Sequence, residues 1–440
     1  MISRKNFLKS GAAAGFMIAS ARTLWGADAP SNRVRVCFAG VHEKGRGQEL
    51  MRWSAKMPGV EIAYVCDPDR RAQDWAAAKV NEIAGYLPKK ATDIRRVLAM
   101  KDVDVVFAEV PDHWHAPMAW MTMEAGKDIY CEKPCTFTPS EGDILIDVQK
   151  KTGRVFQMGN QRRSSAAYRP AVDALRANII GEIKYARCWY QNNRKPIGPR
   201  VKAPVPEWLD WDLWQGPAPR DAYKTNVVHY NWHWCFQYGT GEIANNAVHY
   251  VDVARWAMGL DLPIKVSALG ASANGDPGWD WPDTQMLSMV FPGDKMIVWE
   301  GLSCLPGKKQ MDIYGGAMIC GTKGSMFFHP HDYVILYNEK GKIVKEWHPN
   351  GINAAPGVPW KPALDERHIA NFLDAVRVHD PSRVHSPVVD SVRSSLMTHL
   401  GNLSVRSGLA LNIDPVTGIP AEKEAMKYWS RDYEPGWGHA

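Results

Sequence analysis

From residue 34 onward the chain alternates short apolar runs with longer amphipathic stretches, the pattern of βα units. Val34 to Ala39 (VRVCFA) is a β-branched run that reads as a buried parallel strand. It leads into GVHEKGRG, Gly40 to Gly47, and then a helical stretch from Gln48 to Lys56. A second strand is predicted over Val60 to Val65 and a third over Asp104 to Val110. The third is followed by a loop at Pro111 to His115, a helix over Ala116 to Ala125, and a strand at Asp128 to Cys131. Farther on, Met286 to Trp299 alternates as a hairpin turning at Pro292-Gly293-Asp294. Strands interleaved with helices place the first part of the chain in the α/β class with a parallel sheet.

The candidate chemistry sits where these strands end. Strand, glycine turn and helix are the context of a dinucleotide fingerprint. Gly40 would make the tight turn and Gly45 the close approach, with the helix N-terminus facing a pyrophosphate. The match is incomplete, because His42 stands where the second glycine belongs. Asp67, after the second strand, is placed to accept both adenosine ribose hydroxyls, which favours NAD over NADP. Arg70 is the countersign, since a nearby arginine can take a 2′-phosphate; capping the next helix is the alternative for Asp67. Glu132-Lys133-Pro134 follows the Asp128 strand, and a lysine there is placed to meet the nicotinamide and a substrate oxygen. If Glu242 to Met258 is one helix, Asn245, His249 and Asp252 share a face.

Length and composition narrow the picture. A chain of 440 residues is expected to form two domains plus extras. The net charge is +6, and Arg4, Lys5, Lys9 and Arg22 against Asp28 supply half of it from the first 29 residues. No long basic run suggests a nucleic-acid partner. The opening SRKNFLK followed by the small, uncharged Gly11 to Ser20 reads as an export signal, too short to span a bilayer. It is twin-arginine-like with Arg4-Lys5 as its pair, which places the protein in the periplasm or otherwise outside; without export it would stay cytoplasmic. The 8 cysteines form no Cys-x-x-Cys pair and read as buried thiols. The 19 tryptophans are read as core, with Trp232-His233-Trp234 the best sugar platform. His229, His233 and His249 match no strong zinc spacing, so no metal is expected.

The series GVHEKGRG, VCDPDR, EVPDHWHAP and EAGKDIYCEKP resembles the Gfo/Idh/MocA family of NAD(P)-dependent oxidoreductases. The resemblance continues through MGNQRRS, IGEIKYAR, LDWDLWQGPAP, GTGEIANNAVHYVDVARWAMG, CGTKGS and HLGNLSVRSG. It implies an N-terminal Rossmann fold and a C-terminal α/β domain with a large, mostly antiparallel sheet whose open face serves a homo-oligomer, a dimer or tetramer. The division expected is export signal 1–29, Rossmann domain 30–157 and substrate and oligomerisation domain 158–440. By the same resemblance Lys133 assists at the reacting hydroxyl, with Glu132 holding it, and the family's aspartate–histidine pair maps to Asn245 and His249. His249 is then the acid–base, titrating near working pH; Asn245 carries no charge, and Asp252 either replaces it or pairs with Arg255. Pro111, His113 and His115 fall in the nicotinamide-proximal segment. Arg162, Arg163 and Tyr168 join Trp232, His233 and Asp252 as substrate candidates.

The expected substrate is a small carbohydrate, and the expected reaction is oxidation or reduction of a sugar, polyol or glycoside hydroxyl with a tightly held cofactor. The alternative is a redox-neutral, NAD-dependent glycosidase or epimerase-like cycle, which export favours because a free NAD pool is not expected outside the cytoplasm. Against it, the Tyr-Pro-Thr-His segment of known NAD-dependent glycosidases is absent; this helix reads Asn-Asn-Ala-Val-His. A non-catalytic sugar-binding protein of the same fold is the third reading, supported by His42 and Asn245 and opposed by Lys133 and His249.

Overall fold

A computed structural model describes residues 33–305, 313–349, 351–352 and 364–439. The expected export segment, residues 1–29, lies outside the described residues.

The first layer is a parallel sheet of β1 (Val34–Ala39), β2 (Val60–Cys66), β3 (Lys89–Ala91), β4 (Val105–Ala108), β5 (Asp128–Cys131) and β6 (Phe156–Met158). Its order, β3-β2-β1-β4-β5-β6, reverses direction between β1 and β4, which opens a crevice at the carboxyl ends of those strands. Helices α1 (Arg46–Ser54), α2 (Arg70–Ala84), α3 (Ile94–Leu98), α4 (Asp112–Glu124) and α5 (Glu141–Thr152) connect them. Both α1 and α4 begin earlier than the apolar pattern predicts. Gly45 takes the extended N-cap position of α1, and Pro111 that of α4, so the expected loop at 112–115 is the first helical turn. Pro117 then sits inside α4 and cannot donate to the His113 carbonyl. Arg431 Nη2 donates to that carbonyl instead, at 2.7 Å.

The second layer holds α6 (Tyr168–Arg176), β7 (Ile183–Gln191), α7 (Trp211–Gln215) and α8 (Val248–Met258), then β8 (Lys265–Ala271), β9 (Thr284–Phe291) and β10 (Lys295–Leu302). The strands continue through β11 (Gly315–Gly321), β12 (Gly324–His329), β13 (Tyr333–Asn338), β14 (Ile343–His348) and β15 (Gly351–Ile352). Helices α9 (Leu364–Arg377) and α10 (Val388–Ser407) and strand β16 (Leu411–Asn412) follow. The ten strands run β15-β14-β13-β12-β11-β7-β10-β9-β8-β16. Only the β7–β10 pair is parallel, so the sheet is mostly antiparallel, and β9–β10 is the expected hairpin. One face buries Leu287, Met289, Ile297 and Trp299 against α6, α8 and α10. On the other, Leu269 and Met286 sit opposite each other in register and are exposed.

The far end of the chain returns to the first domain. Ile369, Phe372 and Leu373 of α9 share a core with Val36, Phe38, Phe107 and Tyr130. Helix α9, far along the chain, therefore packs on the strands of the first sheet. All eight cysteines are free thiols, seven of them buried, and burial raises them above the ordinary thiol range. Among the described residues no helix is long and apolar enough to cross a membrane.

Candidate active site

A cavity of about 940 Å³ opens at the carboxyl ends of β1, β2, β4 and β5 and is closed from the other side by the second layer. Gly40, His42, Gly45, Asp67, Pro111, His115, Glu132 and Lys133 line it from the first domain. Trp232, His233, Asn245 and His249 line it from the second. Residues more than a hundred positions apart in sequence meet here because each ends a strand or begins a helix aimed at the crevice.

The nucleotide end is built on the glycine turn. Gly40 has φ +83°, and a Cβ there would fall 2.2 Å from the Glu109 carbonyl oxygen. Gly47 is required by close packing of α1 on the turn: a Cβ there would lie 2.0 Å from the Gly40 carbonyl oxygen. Gly45 is the N-cap of α1 with no side-chain cap, so the first N–H groups of that helix remain for an anion. His42 does not block the turn. Its ring stacks on His229 at 4.0 Å, and His229 Nε2 is pinned to Asp69 Oδ2 at 2.9 Å. Burial and the neighbouring His229 push His42 down to about 4, so it is neutral at neutral pH. Asp67 is oriented by the Val41 and Asp69 N–H groups, which donate to its two oxygens at 2.9 Å each. Arg70 is absent from the cavity wall and donates to the Glu207 carbonyl outside it.

The reacting end centres on Lys133. Its Nζ donates to the Asn245 carbonyl at 2.8 Å and to Asn245 Oδ1 at 2.7 Å. Burial lowers the Lys133 pKa, against the pull of Glu132 and Asp112. Residues Ile243–Ala247 form a π-helical turn ahead of α8, so the expected single helix is a π turn joined to an α-helix. The wider turn changes the helical phase. Asn245 and His249 line the cavity, while Asp252 faces the interior. His249 is half-buried with Nδ1 buried and unpartnered, and desolvation beside Lys133, Arg162 and Arg46 holds its pKa well below the usual histidine range. The expectation that it titrates near working pH is corrected: it is a neutral acceptor. Asn245 orients Lys133.

Four substrate candidates are not in the wall. Arg163 forks onto Asp252 at 2.9 and 2.7 Å, both residues being buried, and Ser394 Oγ donates to the same carboxylate at 2.6 Å. Asp252 therefore pairs with Arg163, and Arg255 with Asp390. Arg162 donates to the Tyr250 hydroxyl at 3.0 Å and the Pro330 carbonyl at 3.2 Å; Tyr168 is buried and donates to the His329 carbonyl at 2.7 Å. Trp232 and His233 stack on each other at 3.6 Å in the cavity wall, whereas Trp234 stacks on Trp279 and is absent from it. Tyr190, Arg194 and Tyr230, which lie in or beside the irregular segment after β7, line the cavity and carry no local sequence signal.

Glu109 follows the apolar strand β4 just as Glu132 follows β5, a signal visible in the sequence. Both of its carboxylate oxygens are buried without a hydrogen-bond partner. Burial, then the charge of Glu132, raises its pKa well above the ordinary carboxyl range, with Arg46 opposing. A raised folded-state pKa means the folded protein holds a proton that the unfolded chain releases. Stability from this group is therefore full below the unfolded carboxyl pKa and falls as pH rises toward the folded one. Glu109→Gln is expected to remove a slope of about 1.4 kcal/mol per pH unit over that window. The variant should match wild type near pH 4 and exceed it at pH 7 to 8 in urea unfolding. A parallel pair of pH profiles would reject this account.

Polar atoms buried without partners mark a cavity that a polar ligand completes. His115 fits this pattern: its Nδ1 donates to the Pro134 carbonyl at 2.6 Å, leaving Nε2 bare and buried. With the glycine cradle, the open helix N-terminus and Asp67, the residues present fit a dinucleotide. Among the described residues no group of three His, Cys, Asp or Glu side chains is placed to hold a metal ion.

Comparison with known proteins agrees with this geometry. A family model described as an oxidoreductase family with an NAD-binding Rossmann fold matches residues 34–160, and its C-terminal alpha/beta domain matches residues 187–287. A "Glycosyl hydrolase family 109 protein" of Shewanella pealeana is 28% identical over 197 residues, 44% of this chain and 42% of the relative. Another, from Shewanella baltica, is 28% identical over 214 residues, 43% of this chain and 46% of the relative. The match thus spans less than half the length of these curated relatives. Among solved structures, a levoglucosan dehydrogenase in complex with NADH and levoglucosan superposes with TM-score 0.64 at 19% identity, covering 86% of this chain and 99% of that one. An aldose-aldose oxidoreductase from Caulobacter crescentus gives 0.64 at 14%, covering 87% and 100%. A myo-inositol 2-dehydrogenase from Lactobacillus plantarum gives 0.61 at 19%, covering 87% and 100%. At such identities these structures establish the shared fold.

Proposed function

We propose, because this chain belongs to the Gfo/Idh/MocA family of oxidoreductases, that it oxidises or reduces a hydroxyl-bearing carbon of a sugar, polyol or glycoside with NAD. The observation that carries the reading is Lys133 Nζ, half-buried just past the end of β5 and held by Asn245 in one cavity with His249 and Asp67. Asp67 would hold the ribose hydroxyls, and the turn from Gly40 to Arg46 the pyrophosphate. When bound, NAD supplies a two-electron acceptor whose reduced form can return the pair.

The protein's own groups manage charge and protons. Two of the three Lys133 ammonium protons go to Asn245, which leaves one for a substrate oxygen and a positive charge where negative charge grows. His249, kept neutral by burial, offers an imidazole nitrogen to the hydroxyl proton. The stacked Trp232 and His233 present a flat, largely apolar surface suited to the C–H face of a sugar ring.

A redox-neutral cycle is the second reading, in which an oxidised intermediate is later reduced on the same cofactor. It is favoured by the relatives named as family 109 glycosyl hydrolases and by the opening segment read as an export signal. Under either reading the purified protein is expected to carry NAD(H), which mass spectrometry of denatured protein detects. Loss of all nucleotide together with no binding on titration would reject both. Single-turnover absorbance in the reduced-nicotinamide band separates them: a lasting rise with a glycoside panel means net oxidation, and a transient rise with product release means the redox-neutral cycle.

A further inference from the structure

A second cavity, of about 330 Å³, lies behind the segment that leads into the π turn and shares no lining residue with the first. Its wall is made by α10, the loop at 137–139, the segment around 236–240 and the chain after Lys427. Three observations at this wall point to a ligand.

Arg431 is the first. Its side chain is 91% buried, since only 9% is exposed. Nη2 is spent on Glu141 at 2.6 Å and the His113 carbonyl at 2.7 Å, yet Nε and Nη1 are buried with no hydrogen-bond partner. The faces of Phe137 and Tyr433, 4.8 and 4.6 Å from its guanidinium, do not accept those N–H groups as an oxygen would. Asn402 is the second. It is 4% exposed, its Nδ2 donates to the Thr240 carbonyl at 2.7 Å, and its Oδ1 is buried and unpartnered. Arg406 is the third: among the described residues it makes no ion pair and no hydrogen bond, and rests on Tyr428, Phe236 and Trp281 at 3.9, 4.7 and 5.8 Å. It is exposed in the last turn of α10, a place that suits a cation, and its donors face solvent and the cavity mouth. Lys427 and Asp432, exposed at the rim, offset each other in charge.

Arg431 is already paired with Glu141, which leaves Arg406 as the guanidinium without a carboxylate, and such a group suits an oxyanion. The unpaired amide oxygen of Asn402 in the same wall needs a donor, which a simple oxyanion lacks and a hydroxyl supplies. The volume is near the lower end of small-ligand pockets, roughly 300 Å³. We propose that this cavity binds a hydroxylated anion of monosaccharide size, a sugar acid or a sugar phosphate. The site stands apart from the redox cavity but shares its scaffold, because Thr240 at its wall donates through N and Oγ1 to Asp112 of the first cavity at 2.9 and 2.6 Å.

Isothermal titration of the NAD-loaded protein with glucuronate, glucose 6-phosphate, inorganic phosphate and glucose tests this. Saturable one-to-one binding of glucuronate or glucose 6-phosphate is expected, and which of the two binds distinguishes a carboxylate from a phosphate ligand. Arg406→Met, which keeps the packing, and Arg406→Glu, which reverses the charge, should both weaken it roughly tenfold or more, while Lys133→Met leaves it unchanged. Thermal melts of each variant confirm that the fold is intact. The proposal is overturned if neither acid binds at millimolar concentration, or if inorganic phosphate or glucose binds as tightly. It is also overturned if binding fails in Lys133→Met but survives both Arg406 variants, which would place the ligand in the redox cavity.

Discussion

Replacing Lys133 with methionine is expected to lower turnover by about 10²- to 10⁴-fold, the usual contribution of a positioned acid–base group. Methionine fills the same volume without the charge or donors, so the fold and the NAD affinity should be retained. The loss should appear in kcat and kcat/KM together, because the interaction removed is one that strengthens as charge develops on the substrate oxygen. Asn245→Ala should produce a smaller loss in the same parameters, since Asn245 positions Nζ and touches no reacting atom in this account. A Lys133→Met enzyme with turnover near wild type would remove this residue from the chemistry and leave His249 to carry it.

Arg163→Met should be the most damaging single substitution to stability, at about 3–5 kcal/mol, because it strands a buried carboxylate. Asp252 is 1% exposed, and its pKa is lowered against the effect of burial by Arg163, Arg255 and Ser394. A depressed folded-state pKa gives stability that is present above the ordinary carboxyl pKa and lost as pH falls through the folded one. The deficit of the variant should therefore be largest at neutral pH and shrink below about pH 4, where a protonated Asp252 no longer needs the guanidinium. Arg163→Met combined with Asp252→Leu should recover most of the loss, since an apolar pair of similar volume replaces a buried ion pair at little cost. A variant that keeps its melting temperature but raises KM would return Arg163 to the substrate, where the sequence had put it.

Lys133 and Asp67 were legible because a parallel strand delivers whatever follows it to one edge of the sheet. A short apolar run ending in a charged residue is then enough to locate that residue. Glu109 obeys the same rule at the end of β4. Arg163 and Asp252 were misplaced because both sit close to residues that do reach the cavity. Asn245, His249 and Asp252 recur at helical spacing, but within α8 Asp252 is buried against Arg163 and Ser394. No local pattern reports which of three residues at helical spacing meets a cavity and which meets a buried arginine, because that depends on what packs against the helix.

By itself the sequence determined the βα order of the first domain, the alternation that makes β9–β10 a hairpin, and the acidic and basic residues at the ends of β2 and β5. These are local facts, written in short-range periodicity, and each strand carries its own copy of them. The tertiary structure decided the rest. It turned His42 aside by stacking it on His229, which lies 187 positions later, and so kept open a turn that lacks its second glycine. It made Asn245 a partner of Lys133 across 112 residues instead of a partner of His249 four residues away. It also brought α9 back to complete the core of the first domain. Contacts at such separations are fixed by which faces must be buried together, and a single strand or helix read alone does not contain that information.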